Sequence, residues 1–299
     1  MKKLCIIIMT ALLSVSVWAW PTKPITVIVP YPPGGLVDRF ARTVQRDFQD
    51  RVSQQVEVQY LPGAAAAVAV NNVLTRPNDN HTFIIADAGF VVGPALLGTN
   101  TYREFVPIAL VGESPYVWFS AKPDAPLPQQ IKNKNIINVG VANQGEVWLQ
   151  DLKWPTQLNM IPYKGLAPMM NDVLPGHTEY GILAHVGIAQ QMKDRQVHAV
   201  MVFTDRRISS MPAVPTATEL GFSGNYTQNW YAVWARKDTD PRAVAEMSRL
   251  FQLTVAAHFS DLPGLTVINH GPQRAAQYAN REIQIFERIA EKSKTRTKN

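Results

Sequence analysis

The amino-acid sequence predicts an α/β protein of two lobes, each built on a mainly parallel sheet flanked by helices. Short β-branched runs alternate with helical patterns along the chain, an order typical of parallel sheets with helices on both faces. The chain has 299 residues, which is large for one hydrophobic core and sufficient for two α/β domains. A second series of strands begins near Phe105, and helical patterns close the chain.

The first residues have the composition of an export signal. Lys2 and Lys3 precede an apolar stretch over 4–17, and Ala19 occupies the −1 position of a cleavage site. The stretch is shorter than the ~18 apolar residues that a membrane span requires. We therefore predict a signal peptide over 1–19 rather than an uncleaved anchor. Its removal takes away two lysines and lowers the formal net charge from +6 to +4 (6 − 2).

The first part of the chain predicts strands that lead into helices through glycine-containing loops. The β-branched run 25–29 ends at Pro32-Pro33-Gly34-Gly35, and apolar residues at helical spacing follow from Val37 to Phe48. The strand 56–60 leads through Pro62-Gly63 into an alanine-rich helix over 64–74. A third strand, 82–86, ends at Asp87.

The second series predicts the remaining strands and the division into lobes. These strands are 108–112, 116–120, 136–142, 160–163, 180–184, 199–203 and 230–235. Two amphipathic helices follow, one with Val244, Met247 and Phe251 on its apolar face and one with Ala279 and Phe286. We predict a first lobe of 20–103 plus 225–299 and a second lobe of 104–224, joined by crossovers near 103 and 225.

Ligands of open α/β sheets bind beyond the carboxyl ends of the strands. The loops at those ends are 31–37, 61–64, 86–90, 143–146, 163–167 and 183–187. The first loop joins a strand to a helix N-terminus, where free backbone N–H groups and the helix dipole favour an anion. A tight turn is the alternative interpretation of Gly34-Gly35.

Composition and motifs argue against several classes of function. Cys5, the only cysteine, lies in the leader, so the mature chain has no disulfide or thiolate site. The histidines lack zinc spacing and the basic residues form no patch interleaved with aromatic residues, so neither a metal, a cofactor nor a nucleic acid is expected. Motifs of nucleophilic and phosphate-binding enzymes are missing from the sequence. The enzyme alternative therefore rests on Asp87 and Glu146 acting as acid and base across a cleft.

Several motifs in this order resemble a known family. They are Pro24-Ile25, Pro32-Pro33-Gly34-Gly35 with Asp38, Pro62-Gly63, the stretch 77–82, Pro162-Tyr163-Lys164-Gly165, the stretch 212–216 with Glu219 and Gly221, and Trp230. The sequence is similar to the solute-binding component of tripartite tricarboxylate transporters, the Bug-type periplasmic receptors, over essentially the whole mature chain. The resemblance implies a Venus-flytrap fold, capture of a small carboxylate between the lobes, and delivery to inner-membrane permease subunits. A periplasmic monomer is expected, and a receptor that docks on a sensor protein is the alternative.

The resemblance also implies where the ligand binds. Loops matching 31–37 and 61–67 pinch the ligand carboxylate in the family, and loops matching 86–90, 143–146 and 163–167 complete the cleft. The predicted ligand-binding residues are Tyr31, Gly34, Gly35, Leu36, Val37, Gly63, Ala64, Asp87, Gly89, Phe90, Asn143, Gln144, Tyr163, Gly165, Leu183 and Trp230. Each aromatic residue can instead be a core residue, and Asn143 and Gln144 can instead cap a helix.

The chain departs from the family pattern at several of these positions. The second loop has Ala64, Ala65 and Ala66 where the family has Ala-Gly-Gly, and the first has Leu36 and Val37 where hydroxyl residues are common. Asp87 adds a carboxylate to the third loop, which disfavours an anionic ligand unless a cation such as Lys164 compensates. Three interpretations follow: an aromatic or amphipathic ligand, a zwitterionic or cationic ligand, or a site that has lost binding. A surface position is the alternative for Asp87.

Overall fold

The computed structural model describes residues 20–130, 136–141, 148–149, 152, 154, 157–163, 165–222 and 226–296. The leader predicted over 1–19 and the predicted ligand contacts Asn143 and Gln144 lie outside these residues, as does Lys164. Over the described ranges, no helix combines the length and the apolar character that crossing a bilayer needs.

The described residues form eleven strands and seven α-helices. The strands are β1 (Ile25–Val29), β2 (Val56–Tyr60), β3 (Thr82–Asp87), β4 (Phe105–Ser114), β5 (Tyr116–Ser120), β6 (Ile136–Val141), β7 (Gln157–Pro162), β8 (Tyr180–Ala184), β9 (His198–Val202), β10 (Asn229–Arg236) and β11 (Thr266–His270). The helices are α1 (Leu36–Gln49), α2 (Ala67–Leu74), α3 (Gly89–Leu97), α4 (Leu166–Val173), α5 (His185–Lys193), α6 (Pro241–His258) and α7 (Pro272–Arg296).

Two sheets define two lobes, which confirms the predicted two-lobed α/β fold, although the sheets are not mainly parallel as expected. The first sheet has the strand order β11-β4-β10-β3-β1-β2, and the second has the order β7-β6-β8-β5-β9. The β2-β1-β3 and β7-β6-β8 groups are parallel, whereas β10 is antiparallel to β3 and β5 is antiparallel to β8. Each of the strands β5 and β10 directly follows a crossover between the lobes, so each begins at the side of its lobe that faces the other lobe. They therefore run against the neighbours whose carboxyl ends face that side, and both sheets are mixed rather than mainly parallel.

The crossover between lobes differs from the predicted boundary near 103. Strand β4 pairs with β10 and β11 in the first sheet, so the chain leaves the first lobe only at Pro115. The sequence analysis also missed β11, which pairs along β4 at the edge of that sheet. Thr266 is exposed and the other residues of the strand, 267–270, are only partly buried. The sequence therefore shows no continuous apolar run at this strand.

Both faces of the first sheet are covered by helices, because its central strands are apolar on both sides. Helices α1 and α6 pack on one face through residues such as Phe40 and Phe251. Helices α2, α3 and α7 pack on the other face through residues such as Val70, Phe90 and Phe286. This second core continues into the other lobe, where it includes Trp118.

Candidate functional site

An open cleft of about 2060 Å³ lies between the two lobes. In the first lobe its walls come from the segments that follow β1, β2 and β3, and in the second from Val141 at the end of β6 and from the segments that follow β7 and β8. Among the described residues, the predicted loops at the carboxyl ends of the strands therefore meet around one space, as expected for ligand sites in α/β sheets.

The first loop of the cleft turns sharply at Gly34 and ends where α1 begins. Gly34 has a φ of +97°, in the region that favours glycine because it lacks a Cβ atom. Gly35, the N-cap of α1, provides no side chain to cap the helix. The first N–H groups of a helix have no partner within the helix, and here they belong to Leu36 and Val37, which line the cleft.

Asp38 holds this first loop in place. Its carboxylate accepts hydrogen bonds from the Gly34 N–H at 2.7 Å, the Arg42 Nε at 2.7 Å and the Tyr60 hydroxyl at 2.5 Å. Burial raises the pKa of Asp38, but the hydrogen bonds from Tyr60, Gly34 and Arg42 outweigh this effect and hold the pKa below its usual value. Asp38 therefore connects the loop to α1 and to the end of β2 as a charged group.

The second loop adopts backbone conformations that are unusual for alanine. Gly63 has a φ of +128°, Ala64 of +46° and Ala66 of +71°. A non-glycine residue in the left-handed region costs about 1 kcal/mol or more, and such strain is concentrated at binding sites. The loop thus keeps a sharply turned backbone at the cleft wall although alanines replace the glycines of the family pattern. Gly63, Ala64 and Ala66 all line the cleft.

A polar patch, formed by Tyr31, Asp87, Asn229 and Tyr231, lines the cleft in the first lobe. The Tyr31 hydroxyl donates to Asp87 Oδ1 at 2.6 Å, and the Gly89 N–H donates to the same oxygen at 2.9 Å. Asn229 Nδ2 lies 3.4 Å from Asp87 Oδ2 and 2.8 Å from the Tyr231 hydroxyl. A Cβ atom at Gly89 would lie 3.0 Å from Asp87 Oδ1, so a larger residue would require the Asp87 side chain to shift by a few tenths of an ångström.

Burial dominates the electrostatics of this polar patch. Asp87 is 8% exposed, and burial raises its pKa although the hydrogen bonds from Tyr31, Gly89 and Asn229 act in the opposite direction. Burial likewise raises the pKa of Tyr31, and the neighbouring Asp87 adds to this effect. Tyr31 is therefore a stable hydroxyl donor at neutral pH, and the alternative of a surface position for Asp87 is wrong.

The second lobe contributes Tyr163, Gly165 and Leu183 to the cleft. The Tyr163 hydroxyl donates to Asp172 Oδ2 at 2.6 Å and lies 2.9 Å from Thr178 Oγ1, so its polar atom is engaged within the lobe. Gly165 has a φ of +106° and precedes α4, which also begins without a side-chain cap. Leu183 presents an apolar wall at the end of β8.

His185 lies at the junction of the lobes and was missed by the sequence analysis. Its backbone N–H donates to the Pro115 carbonyl at 2.8 Å, and the next N–H, of Val186, donates to Ser114 Oγ at 3.0 Å. The first N–H groups of α5 are thus used by the crossover between β4 and β5. Burial lowers the pKa of His185, which favours its neutral form.

Two predicted ligand contacts, Phe90 and Trp230, are core residues and do not line the cleft. Phe90 is fully buried and packs edge-on against Phe105. Trp230 is fully buried and packs against Tyr278 of α7. Side chains alternate between the two faces of a strand, so β10 directs Trp230 to α7. Its neighbours Asn229 and Tyr231, which the sequence analysis did not select, line the cleft instead.

Comparisons with known proteins agree with this architecture. A model of the tripartite tricarboxylate transporter receptor family matches residues 40–294. The chain is 30% identical to protein BugT of Bordetella pertussis over 251 residues, which cover 79% of this chain and 77% of BugT.

Solved structures show the same fold. The periplasmic binding protein BugD has a TM-score of 0.76 at 24% identity, over 91% of this chain and 98% of BugD. MatC from Rhodopseudomonas palustris with bound malate has a TM-score of 0.75 at 24% identity, over 91% of this chain and all of MatC. The chain therefore belongs to the tripartite tricarboxylate transporter receptor family, a family of periplasmic solute-binding receptors.

Proposed function

We propose that this receptor binds a small carboxylate ligand between its lobes and delivers it to permease subunits in the inner membrane. The receptor reaches the periplasm after removal of residues 1–19. Membership in the family supports the role in solute binding, and MatC, a protein of the same fold, holds the dicarboxylate malate.

The observation that carries the proposal is a set of helix N-termini at the cleft that have no side-chain cap. Helix α1 begins after Gly35, the short 3₁₀ turn before α2 begins after Gly63, and α4 begins after Gly165, each without a capping side chain. All three glycines line the cleft. Free N–H groups and the positive ends of helix dipoles bind anions, and a carboxylate suits them.

Helix α6 begins away from the cleft and, unlike the helices above, has a side-chain cap. Asp240 caps α6, accepting a hydrogen bond from the Arg242 N–H at 2.8 Å. The cleft also has cationic side chains: Arg39 and Arg46 of α1 and Lys193 of α5 line it. A concave surface with this sign of charge attracts anions.

The positions of these helices also link ligand binding to closure of the lobes. Helix α1 and the 3₁₀ turn before α2 belong to the first lobe and α4 to the second, so a carboxylate ligand between them contacts both lobes. A ligand that contacts both lobes binds the closed form more tightly and shifts the population toward it. The surface of the closed form would then be the one that a permease recognises.

A thermal-shift screen of the mature protein, residues 20–299, tests the proposal. The panel contains aliphatic dicarboxylates, amino acids, aromatic acids and uncharged analogues. A ligand at a hundred times its Kd stabilises the folded state by ~2.7 kcal/mol and raises the melting temperature by several degrees. X-ray scattering with and without the best ligand measures closure. If no carboxylate raises the melting temperature or changes the scattering, the proposal is wrong.

A matched pair of variants at Leu36 tests the location of the anion site. Leu36→Asp places a negative charge in the first turn of α1, where it favours the helix but repels a bound carboxylate. Two like charges about 6 Å apart interact by ~3 kcal/mol at an effective dielectric constant of 20, so we expect carboxylate affinity to fall at least tenfold. Leu36→Asn, similar in shape but uncharged, is the control. Equal affinities of the two variants in isothermal titration calorimetry would place the carboxylate elsewhere.

A further inference from the structure

We infer that the ligand is a carboxylate that also carries an ammonium group, and that Asp87 binds this ammonium group. The inference deepens the proposed function and rests on it. It assigns the two ends of one ligand to two parts of the first lobe: the uncapped helix N-termini receive the carboxylate, and the polar patch receives the cation.

In the part of the chain that the structure describes, the groups that donate hydrogen bonds to the Asp87 carboxylate are all neutral. Its donors are the Tyr31 hydroxyl, the Gly89 N–H and the Asn229 amide. The other buried carboxylates have cationic partners: Asp38 pairs with Arg42 at 2.7 Å, and Glu282 pairs with Arg281 at 3.4 Å. A buried carboxylate without a cation is costly, and a ligand cation would remove that cost.

The two carboxylate oxygens of Asp87 differ in the hydrogen bonds that they accept. Oδ1 accepts two short hydrogen bonds, from Tyr31 and Gly89, and each carboxylate oxygen has two lone pairs. Among the described residues, Oδ2 has only the 3.4 Å contact with Asn229, whose Nδ2 makes its shorter bond to Tyr231. Oδ2 therefore retains capacity for a strong donor. An ammonium group, with three donors, supplies one, and charge-assisted hydrogen bonds are about twice as strong as neutral ones.

The location of Asp87 in the cleft also favours a ligand with both charges. Asp87 lies on the cleft wall, and its partner Tyr31 belongs to the segment that continues through Gly34 and Gly35 to α1. An anion site and an acidic acceptor thus share one wall of the cleft. A ligand with two carboxylates would bring its second charge toward Asp87 and be repelled, whereas a zwitterion complements both sites. Burial raises the pKa of Asp87, as expected for a carboxylate that has no cationic partner.

The test compares ligands that differ only in the amino group. Calorimetric Kd values are measured for succinate and aspartate, glutarate and glutamate, adipate and 2-aminoadipate, and butanoate and 4-aminobutanoate. Malate is added to the first pair because its hydroxyl is a donor without charge. For at least one pair we expect the amino compound to bind at least about 30-fold more tightly, since removing one partner of a buried charge pair costs about 2 kcal/mol or more.

The variant Asp87→Asn separates recognition from a structural role. Asparagine preserves the shape of the side chain and an acceptor oxygen but removes the charge. We expect Asp87→Asn to lose the preference for the amino compound while it binds the simple acid as well as the wild type does, or better. Asp50→Asn, at an exposed aspartate beyond α1, is the control and should bind like the wild type.

Three results would overturn the inference. If wild-type protein binds each simple acid as tightly as its amino counterpart, Asp87 does not select a cation. If Asp87→Asn weakens both members of a pair equally, the role of Asp87 is structural. If no carboxylate of either kind binds, the proposed function fails and the inference fails with it. The comparison of ligands on the wild-type protein does not depend on how well the variant folds.

Discussion

Asp38 provides the sharpest prediction for the stability of the ligand-free protein. Its carboxylate is 7% exposed and accepts three hydrogen bonds, which connect Gly34, Arg42 and Tyr60. The substitution Asp38→Asn keeps the size of the side chain but removes its charge and one acceptor oxygen. The NH₂ group that replaces this oxygen is itself a donor. It would lie opposite another donor, with which it cannot form a hydrogen bond.

The expected magnitude follows from these contacts. Hydrogen bonds to a charged group contribute about 1.5–3 kcal/mol each and neutral ones about 0.5–1.5 kcal/mol. One bond is lost and the others lose their charged acceptor, while the ion pair with the half-exposed Arg42 adds less than about 1 kcal/mol. We therefore expect Asp38→Asn to lower the free energy of unfolding by about 2–4 kcal/mol. Asp50→Asn, on the exposed surface, should change it by less than about 0.5 kcal/mol.

The pH dependence gives a second readout. The pKa of Asp38 is lower in the folded protein than in the unfolded chain, where it is about 3.9. Its contribution is therefore complete above that pH and is lost as the pH falls through the folded pKa. Urea unfolding at several pH values should show a difference between wild type and Asp38→Asn that is constant near pH 7 and shrinks below pH ~4. A difference under about 0.5 kcal/mol at pH 7 would refute the role assigned to Asp38.

Two further substitutions test the packing that positions the cleft. A Cβ atom at Gly112 would lie 2.4 Å from the Thr266 carbonyl oxygen, so Gly112→Ala should force β4 and β11 apart and cost about 1–3 kcal/mol in urea unfolding. Gly35→Ala, whose methyl group meets no atom within 4 Å, should cost less than about 1 kcal/mol; equal effects would contradict the assigned register. Burial raises the pKa of Glu282, which makes the charged form unfavourable in the folded state. Glu282→Gln should therefore be more stable than wild type at pH 7, with a gain that disappears below pH ~4.5, and an unchanged stability profile would contradict this reasoning.

Local sequence patterns predicted most of the strands and the helices around the first loop. Strands β1, β2 and β8 have the predicted bounds, and α1 begins at Leu36, one residue before the prediction. These elements have a strong apolar periodicity that survives in any context. Helices α3 and α5 follow their strands directly and were not identified, because α3 is apolar on nearly all sides and α5 has only a weak amphipathic pattern.

The candidate site was predicted less completely, because it depends on which way side chains point. The predicted loops at strand ends line the cleft, except 143–146, which lies outside the described residues. Phe90 and Trp230, by contrast, proved to be core residues. Any large aromatic residue near a loop is compatible with either environment. Asn229 and Tyr231 entered the cleft because β10 crosses from the second lobe and places alternate residues on its two faces.

The sequence by itself determined the class of the protein: an α/β chain with glycine-containing loops after its strands, in the order of a known receptor family. It also identified Asp87 as a departure from that family. Only the tertiary structure decided what Asp87 contacts, because its partners Tyr31 and Asn229 are 56 and 142 residues away in the chain. Local patterns record the periodicity of burial, whereas the partners of a buried charge depend on strands brought together by the sheet.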